Sequence, residues 1–269
     1  MEILIKLARI SYGIMIAGLG VQQIFYKDFR PVILPPWHFS FPGFALFVYF
    51  VSAILIAAGI AIALDRKAKT ISLILGAIFL LLFLFCQVPY ELIADPYYMH
   101  LGVWTSAQKE LVLSGGAFVV AGSFHTGNEN RQNESSLIRL LEKIVPFGSV
   151  FMCITMICFG IDHFLYAEGV STLVPAWMPG HMFWTYFAGV ALIGSGITII
   201  LRIRLKLSAL LLALMIIIWL LILHIPRAVA DPYSLQGNEV SSVFEAFGFS
   251  GIAYLIAYGY HTKRAMKKI

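Results

Sequence analysis

Three histidines stand where chemistry is most easily imagined in this chain: His163, His181 and His224. Each falls near the end of a different apolar run, so all three belong to one depth. Asp162, Tyr166, Glu168, Arg227 and Glu245 fall in the same layer. Helical spacing puts Tyr166 on the face of His163 and Arg227 on that of His224. Ionisable side chains at membrane depth are costly and mark a functional interior or a polar cavity. Imidazoles with acids nearby suit a divalent metal such as Zn²⁺ or Cu²⁺. Two of them suit a haem iron held from both faces, and a histidine pair also suits proton exchange with a quinone. In these readings His163, His181 and His224 are ligands or proton carriers. Arg227 holds an anionic group, Asp162 or Glu168 orients a histidine, and Tyr166 and Trp177 complete the cofactor-binding set. The competing reading is that interfacial histidines snorkel or bond a helix-end carbonyl.

The elements that position these residues are written twice. Ala94-Asp95-Pro96-Tyr97 recurs as Ala230-Asp231-Pro232-Tyr233. Gly20, Tyr26, Pro35 and Trp37 match Gly160, Tyr166, Pro175 and Trp177 at an offset of 140, and the offset shrinks to 137 at Pro89 and Pro226 and to 135 at Glu110 and Glu245. The order is kept, so the chain reads as a tandem duplication with loop-sized deletions in the second copy. Features common to both copies are economically structural: prolines that break helix ends, tryptophans of an interfacial belt, and Ser242-x-x-Glu245 as a capping box. The histidines are not common to both. Their first-copy counterparts are Gln23, Phe41 and Gln87.

Composition sets the solvent. With 60% hydrophobic and 12% charged residues, and a mean hydropathy of +0.86, there is too little polar surface to clothe a water-soluble sphere. Apolar runs near the length needed to cross a hydrocarbon core fall at 10–26, 43–64, 71–89 and 107–124, then at 146–166, 183–201, 207–225 and 242–260. The expected fold is therefore an all-α polytopic membrane protein. Its eight transmembrane helices form two tandem four-helix bundles, 1–124 and 146–269, joined by a linker at 125–145. An even number of spans per copy makes the repeat parallel, with its axis along the membrane normal.

Of the 19 Lys and Arg residues, only Lys27, Arg30, Lys109 and Arg227 fall on the side that carries most of the acids. The basic side is cytoplasmic by the positive-inside rule, which puts both termini inside an inner membrane. That bias explains the sequence pI near 9.1 and excludes a nucleic-acid partner. The first helix is expected to stay, since no cleavage pattern follows it. Leu137, Ile138, Leu140 and Leu141, with Arg139 and Lys143, suit a segment lying at the interface. Cys86, Cys153 and Cys158 lack the spacing of a disulfide-exchange pair and read as packing residues. No P-loop, dinucleotide fingerprint, metalloprotease helix or nucleophile elbow is present.

The second copy carries His163-Phe164, the stretch Leu173-Val-Pro175-Ala-Trp177-Met-Pro179-Gly-His181-Met-Phe-Trp184, and Trp219-Leu-Leu-Ile-Leu-His224-Ile-Pro226-Arg227. It resembles the DoxX-like bacterial membrane proteins, a family built on a four-helix membrane module. The resemblance covers both copies and implies an inner-membrane location and a link to redox systems, since some relatives are subunits of a thiosulfate:quinone oxidoreductase. A quinone, a haem or a divalent metal is then the expected cofactor, and a membrane redox protein the expected partner beside the lipid bilayer. The alternative is a non-enzymatic carrier of a small solute or lipid, or an assembly partner.

Overall fold

A computed structural model describes residues 2–37, 42–124 and 135–259. All regular structure among them is helical. The long helices are α1 (Glu2–Tyr26), α2 (Phe44–Ala63), α3 (Ala68–Ile93), α4 (Thr105–Gly122), α5 (Gly148–Leu165), α6 (His181–Ile200), α7 (Leu205–Ala230) and α8 (Asn238–Gly259). Among the described residues, seven helical stretches are long and apolar enough to cross a membrane. The chain is a multi-pass, all-helical membrane protein. The exception among the long helices is α4, whose second turn carries Gln108, Lys109 and Glu110; it is enclosed by its neighbours nearly throughout its length.

Packing explains why α4 tolerates those residues. It lies against α3 on one side and α5 on the other, and touches α8. α1 packs on both α2 and α8, and α5 packs on α6. The first helix of each half thus lies on the last helix of the other half, and the halves interlock. Seams α2–α3 and α6–α7 are sparse by comparison. Small residues set the tight crossings: a Cβ on Gly20 would stand 2.9 Å from the Ser52 carbonyl oxygen, and one on Gly160 would stand 2.8 Å from that of Gly189.

Contacts fix which ends of the helices meet. At the acidic end Gln22 Nε2 donates to Gly237 O at 3.1 Å, Arg30 Nη1 donates to Gln236 O at 2.6 Å, and Gly102 N donates to Tyr166 Oη at 3.4 Å. At the basic end Arg9 donates to Ser123 Oγ and O at 2.8 and 2.7 Å, and Lys69 pairs with Glu142. The segment before α5 forms a short helix, Ser136–Glu142, capped by Ser135. Its Leu141 and Val145 pack on Leu73 and Phe118, while Leu137 and Leu140 stay exposed. Residues 125–134 of the expected linker, and Phe41, lie outside the described residues.

Two details correct the reading of the prolines. Pro89 and Pro226 do not end their helices: α3 runs on to Ile93 and α7 to Ala230. Each proline follows a single wide turn, Phe83–Gln87 and Leu220–His224, closed by Val88 N donating to Phe83 O and by Ile225 N donating to Leu220 O. Proline lacks the N–H that an α-helix needs and its ring crowds the carbonyl four residues back; the i→i+5 turn relieves both. His224 is therefore the last residue of a mid-helix wide turn, and Gln87 holds the same place in α3. Ser242 is likewise no cap. α8 already starts at Asn238, and Ser242 Oγ donates back to the Asn238 carbonyl at 3.1 Å.

Candidate functional site

The wide turn of α7 opens onto a cavity of about 400 Å³ walled by α4, α5, α6, α7 and α8 near the acidic end. Most of its lining is apolar: Met156 and Phe159 from α5, Trp184 and Leu192 from α6, Met215 and Trp219 from α7, and Phe249 from α8. Its polar lining comprises Asp162 and His163 from α5, His224 from α7, Lys109 from α4 and Glu245 from α8. A mainly apolar pocket with a few convergent polar groups is the usual form of a small-molecule site.

Hydrogen bonding decides what each group offers. His163 Nδ1 lies 2.7 Å from the Phe159 carbonyl. A carbonyl only accepts, so Nδ1 carries the proton and Nε2 of the neutral ring keeps its lone pair. His224 Nδ1 is buried without a partner, as is Asp162 Oδ1. Lys109 Nζ and Glu245 Oε2 form an ion pair at 2.7 Å, with only 17% and 5% of the side chains exposed. That pair ties α4 of the first half to α8 of the second, so the site belongs to neither half alone.

The other residues expected at the site take different places. Arg227 grips Glu239 in a two-point pair, Nε to Oε2 at 3.0 Å and Nη2 to Oε1 at 2.6 Å, so its anion is already supplied by the chain. Glu168 is exposed on the short helix Ala167–Ser171. Tyr166 faces Gly102 through its hydroxyl, Trp177 is 71% exposed, and His181 opens α6; none of the three lines the cavity. The expected trio of histidines is thus a pair in this cavity. Among the described residues no group of three or more His, Cys, Asp and Glu side chains is placed to hold a metal ion. The three-histidine metal centre has no donor set here.

Gln23 and Gln87, the first-half residues matched to the two cavity histidines, each donate to the chain itself. Gln23 is fully buried; its Nε2 donates to Ser52 Oγ at 3.1 Å and its Oε1 accepts from Arg30 N at 3.3 Å. Gln87 Nε2 donates to the Pro31 carbonyl at 2.6 Å. Phe29, Arg30, Val32 and Ile33, from the loop after α1, are buried. Burial draws the Arg30 guanidinium below its ordinary value, opposed by the charges of Glu245, Tyr26 and Asp28. Glu110, facing Gln87, is fully enclosed with neither carboxyl oxygen well bonded.

Comparison with protein-family models, with curated proteins and with solved structures gives no match to this chain.

Lys109, Trp184 and Trp219 are the cavity residues that sequence reading passed over. Lys109 comes from the first half, whereas the residues that set the second half apart from the first lie in the second. Its one signal is a lysine on the acidic side, within a helix whose second turn also carries Gln108 and Glu110.

Proposed function

We propose that this protein is a redox-associated membrane protein of DoxX-like type that binds the head group of a membrane quinone in the second-half cavity. In this reading α4 is an eighth, enclosed span, and the two halves are copies related by an axis along the membrane normal. Paired wide turns at an offset of 137 support the duplication. The protein sits in the inner membrane with both termini cytoplasmic, which puts the cavity near the outer face. Cysteine labelling at residue 130 tests this; labelling from outside while residue 95 is protected reverses the orientation.

The observation that carries the reading is the cavity lining, which combines two histidines and an ion pair with aromatic and thioether side chains. A quinone presents a flat apolar ring and two carbonyl acceptors. The Lys109 ammonium, and His224 through an Nδ1–H, donate to such carbonyls. Reduction of the ring takes two electrons and two protons, and the resulting hydroxyls donate to acceptors such as His163 Nε2 and the Asp162 carboxylate. The electrons are assigned to a membrane redox partner protein; this chain's residues hold the ring and exchange its protons.

Titration of the protein in lipid nanodiscs with a short-tailed benzoquinone, followed by tryptophan fluorescence, tests the binding. Saturable quenching is expected, together with its loss in His224→Gln. Absence of saturable quenching overturns the reading. An absorbance spectrum and metal analysis of the same sample separate a haem or metal protein from a quinone binder. The mainly apolar lining also favours a second reading, a non-enzymatic carrier of a lipid or apolar solute. Mass spectrometry of the co-purified lipids then finds a lipid in place of a quinone.

A further inference from the structure

A second cavity, of about 670 Å³, runs along the seam between α6 and α7. On the α6 side it is lined by Ala191, Gly194 and Thr198, and on the α7 side by Leu211 and Leu214. Small residues keep this seam open: a Cβ built on Gly194 would meet nothing within 4 Å. From Trp184 to Thr198 the channel follows fourteen residues of α6, or about 21 Å at the rise of an α-helix. Its shape is long, narrow and almost wholly apolar.

The two cavities share a wall. Trp184, Met215 and Trp219 line both, with the polar site on one side and the α6–α7 seam on the other. The cavity that holds His163 and His224 therefore adjoins an apolar channel across these three side chains. The equivalent seam in the first half carries Ile54 at the position of Ala191 and Ile71 at that of Ser208.

We infer that the ligand is a tailed amphiphile, a quinone whose isoprenoid tail passes the Trp184–Met215–Trp219 partition and lies along the α6–α7 groove. The inference rests on the quinone reading above and deepens it to a substrate class. Lipid chains are as apolar as the groove, so the gain from seating the tail comes from close packing and fit. Filling the groove should therefore abolish the preference for a long tail without touching the head site.

The test compares a long-tailed isoprenoid benzoquinone with a short-tailed one in nanodiscs, in the wild type, in Gly194→Phe and in Ala191→Ile. The second variant installs the first-half residue and is the milder change. Ala57→Phe, at the equivalent exposed place on α2, is the control. The expected result is tighter binding of the long-tailed quinone to wild type and to Ala57→Phe. In Gly194→Phe the two quinones bind equally, in Ala191→Ile the difference narrows, and short-tail affinity stays unchanged in both. An unchanged preference in both groove variants overturns the tail assignment while the head site stands. Failure of either quinone to bind the wild type saturably overturns the quinone reading, and the tail assignment with it.

Discussion

The turns ending at Gln87 and at His224 share a backbone and differ in what their side chains are free to do. Both are single wide turns ahead of a proline, and both point their last residue into the bundle near the acidic end. In the first half the amide is spent on the Pro31 carbonyl, and the loop after α1 brings Phe29, Arg30, Val32 and Ile33 into the interior. In the second half the imidazole has a buried nitrogen without a partner and faces a cavity. The same kind of turn thus stands once where its side chain is bonded to the chain and once beside a cavity. Gln87 Oε1 and both Glu110 oxygens also lack partners, so it is the open space beside His224, and not the missing bond alone, that marks the place for a ligand.

The largest expected effect comes from the ion pair that ties the cavity to the first half of the chain. Glu245→Leu leaves Lys109 enclosed without its counter-ion, and Arg30 without the carboxylate that offsets its burial. Removing one partner of a buried pair costs about 3–5 kcal/mol, read as a fall in Tm in detergent. The double change Lys109→Met with Glu245→Leu should recover a large part of that, because no ammonium is then stranded. If the single and double variants melt alike, the pair holds nothing together and the site reverts to the second half alone.

Exchanging the two turn residues sharpens the contrast at an intermediate scale. Gln87→His removes the donor to the Pro31 carbonyl, and stranding a buried acceptor costs about 1–3 kcal/mol. His224→Gln loses no hydrogen bond at Nδ1, so its stability should stay within about 0.5 kcal/mol of the wild type while quinone quenching disappears. Gln87 should answer in stability and His224 in binding. Equal stability losses in both would show His224 to be a packing residue.

Much of this was legible in the chain and some was not, for physical reasons. Apolar runs marked the spans because lipid imposes length and composition directly, and the internal matches picked out His163 and His224 by setting them against Gln23 and Gln87. His181 was grouped with them by depth and by its match to Phe41. Depth along a helix says nothing about the direction a side chain takes, and the first turn of α6 turns it away from the cavity. Lys109 was hidden because interlocking packing brings α4 to a site otherwise built by the second half. Pro226 suggested a helix end; the wide turn that lets a helix pass through proline leaves no mark in hydropathy.

Arg227 carries the smallest expected effect, and it separates a residue that reads as functional from one that is. Sequence reading assigned it an anionic ligand because a lone arginine near three histidines on the acidic side invites one. Glu239 already occupies the Nε–Nη2 edge of its guanidinium, and the pair is partly open to solvent, with 36% and 17% of the side chains exposed. Exposure at that level screens the attraction, so Arg227→Met should cost only about 0.2–1 kcal/mol, and added salt should shrink the difference further. Quinone affinity should not move, because the arginine does not line the cavity. A loss of quinone binding in Arg227→Met at unchanged Tm would mean that Arg227 leaves Glu239 to reach the ligand, and the polar wall would then need a fourth positive or imidazole group beside Lys109, His163 and His224.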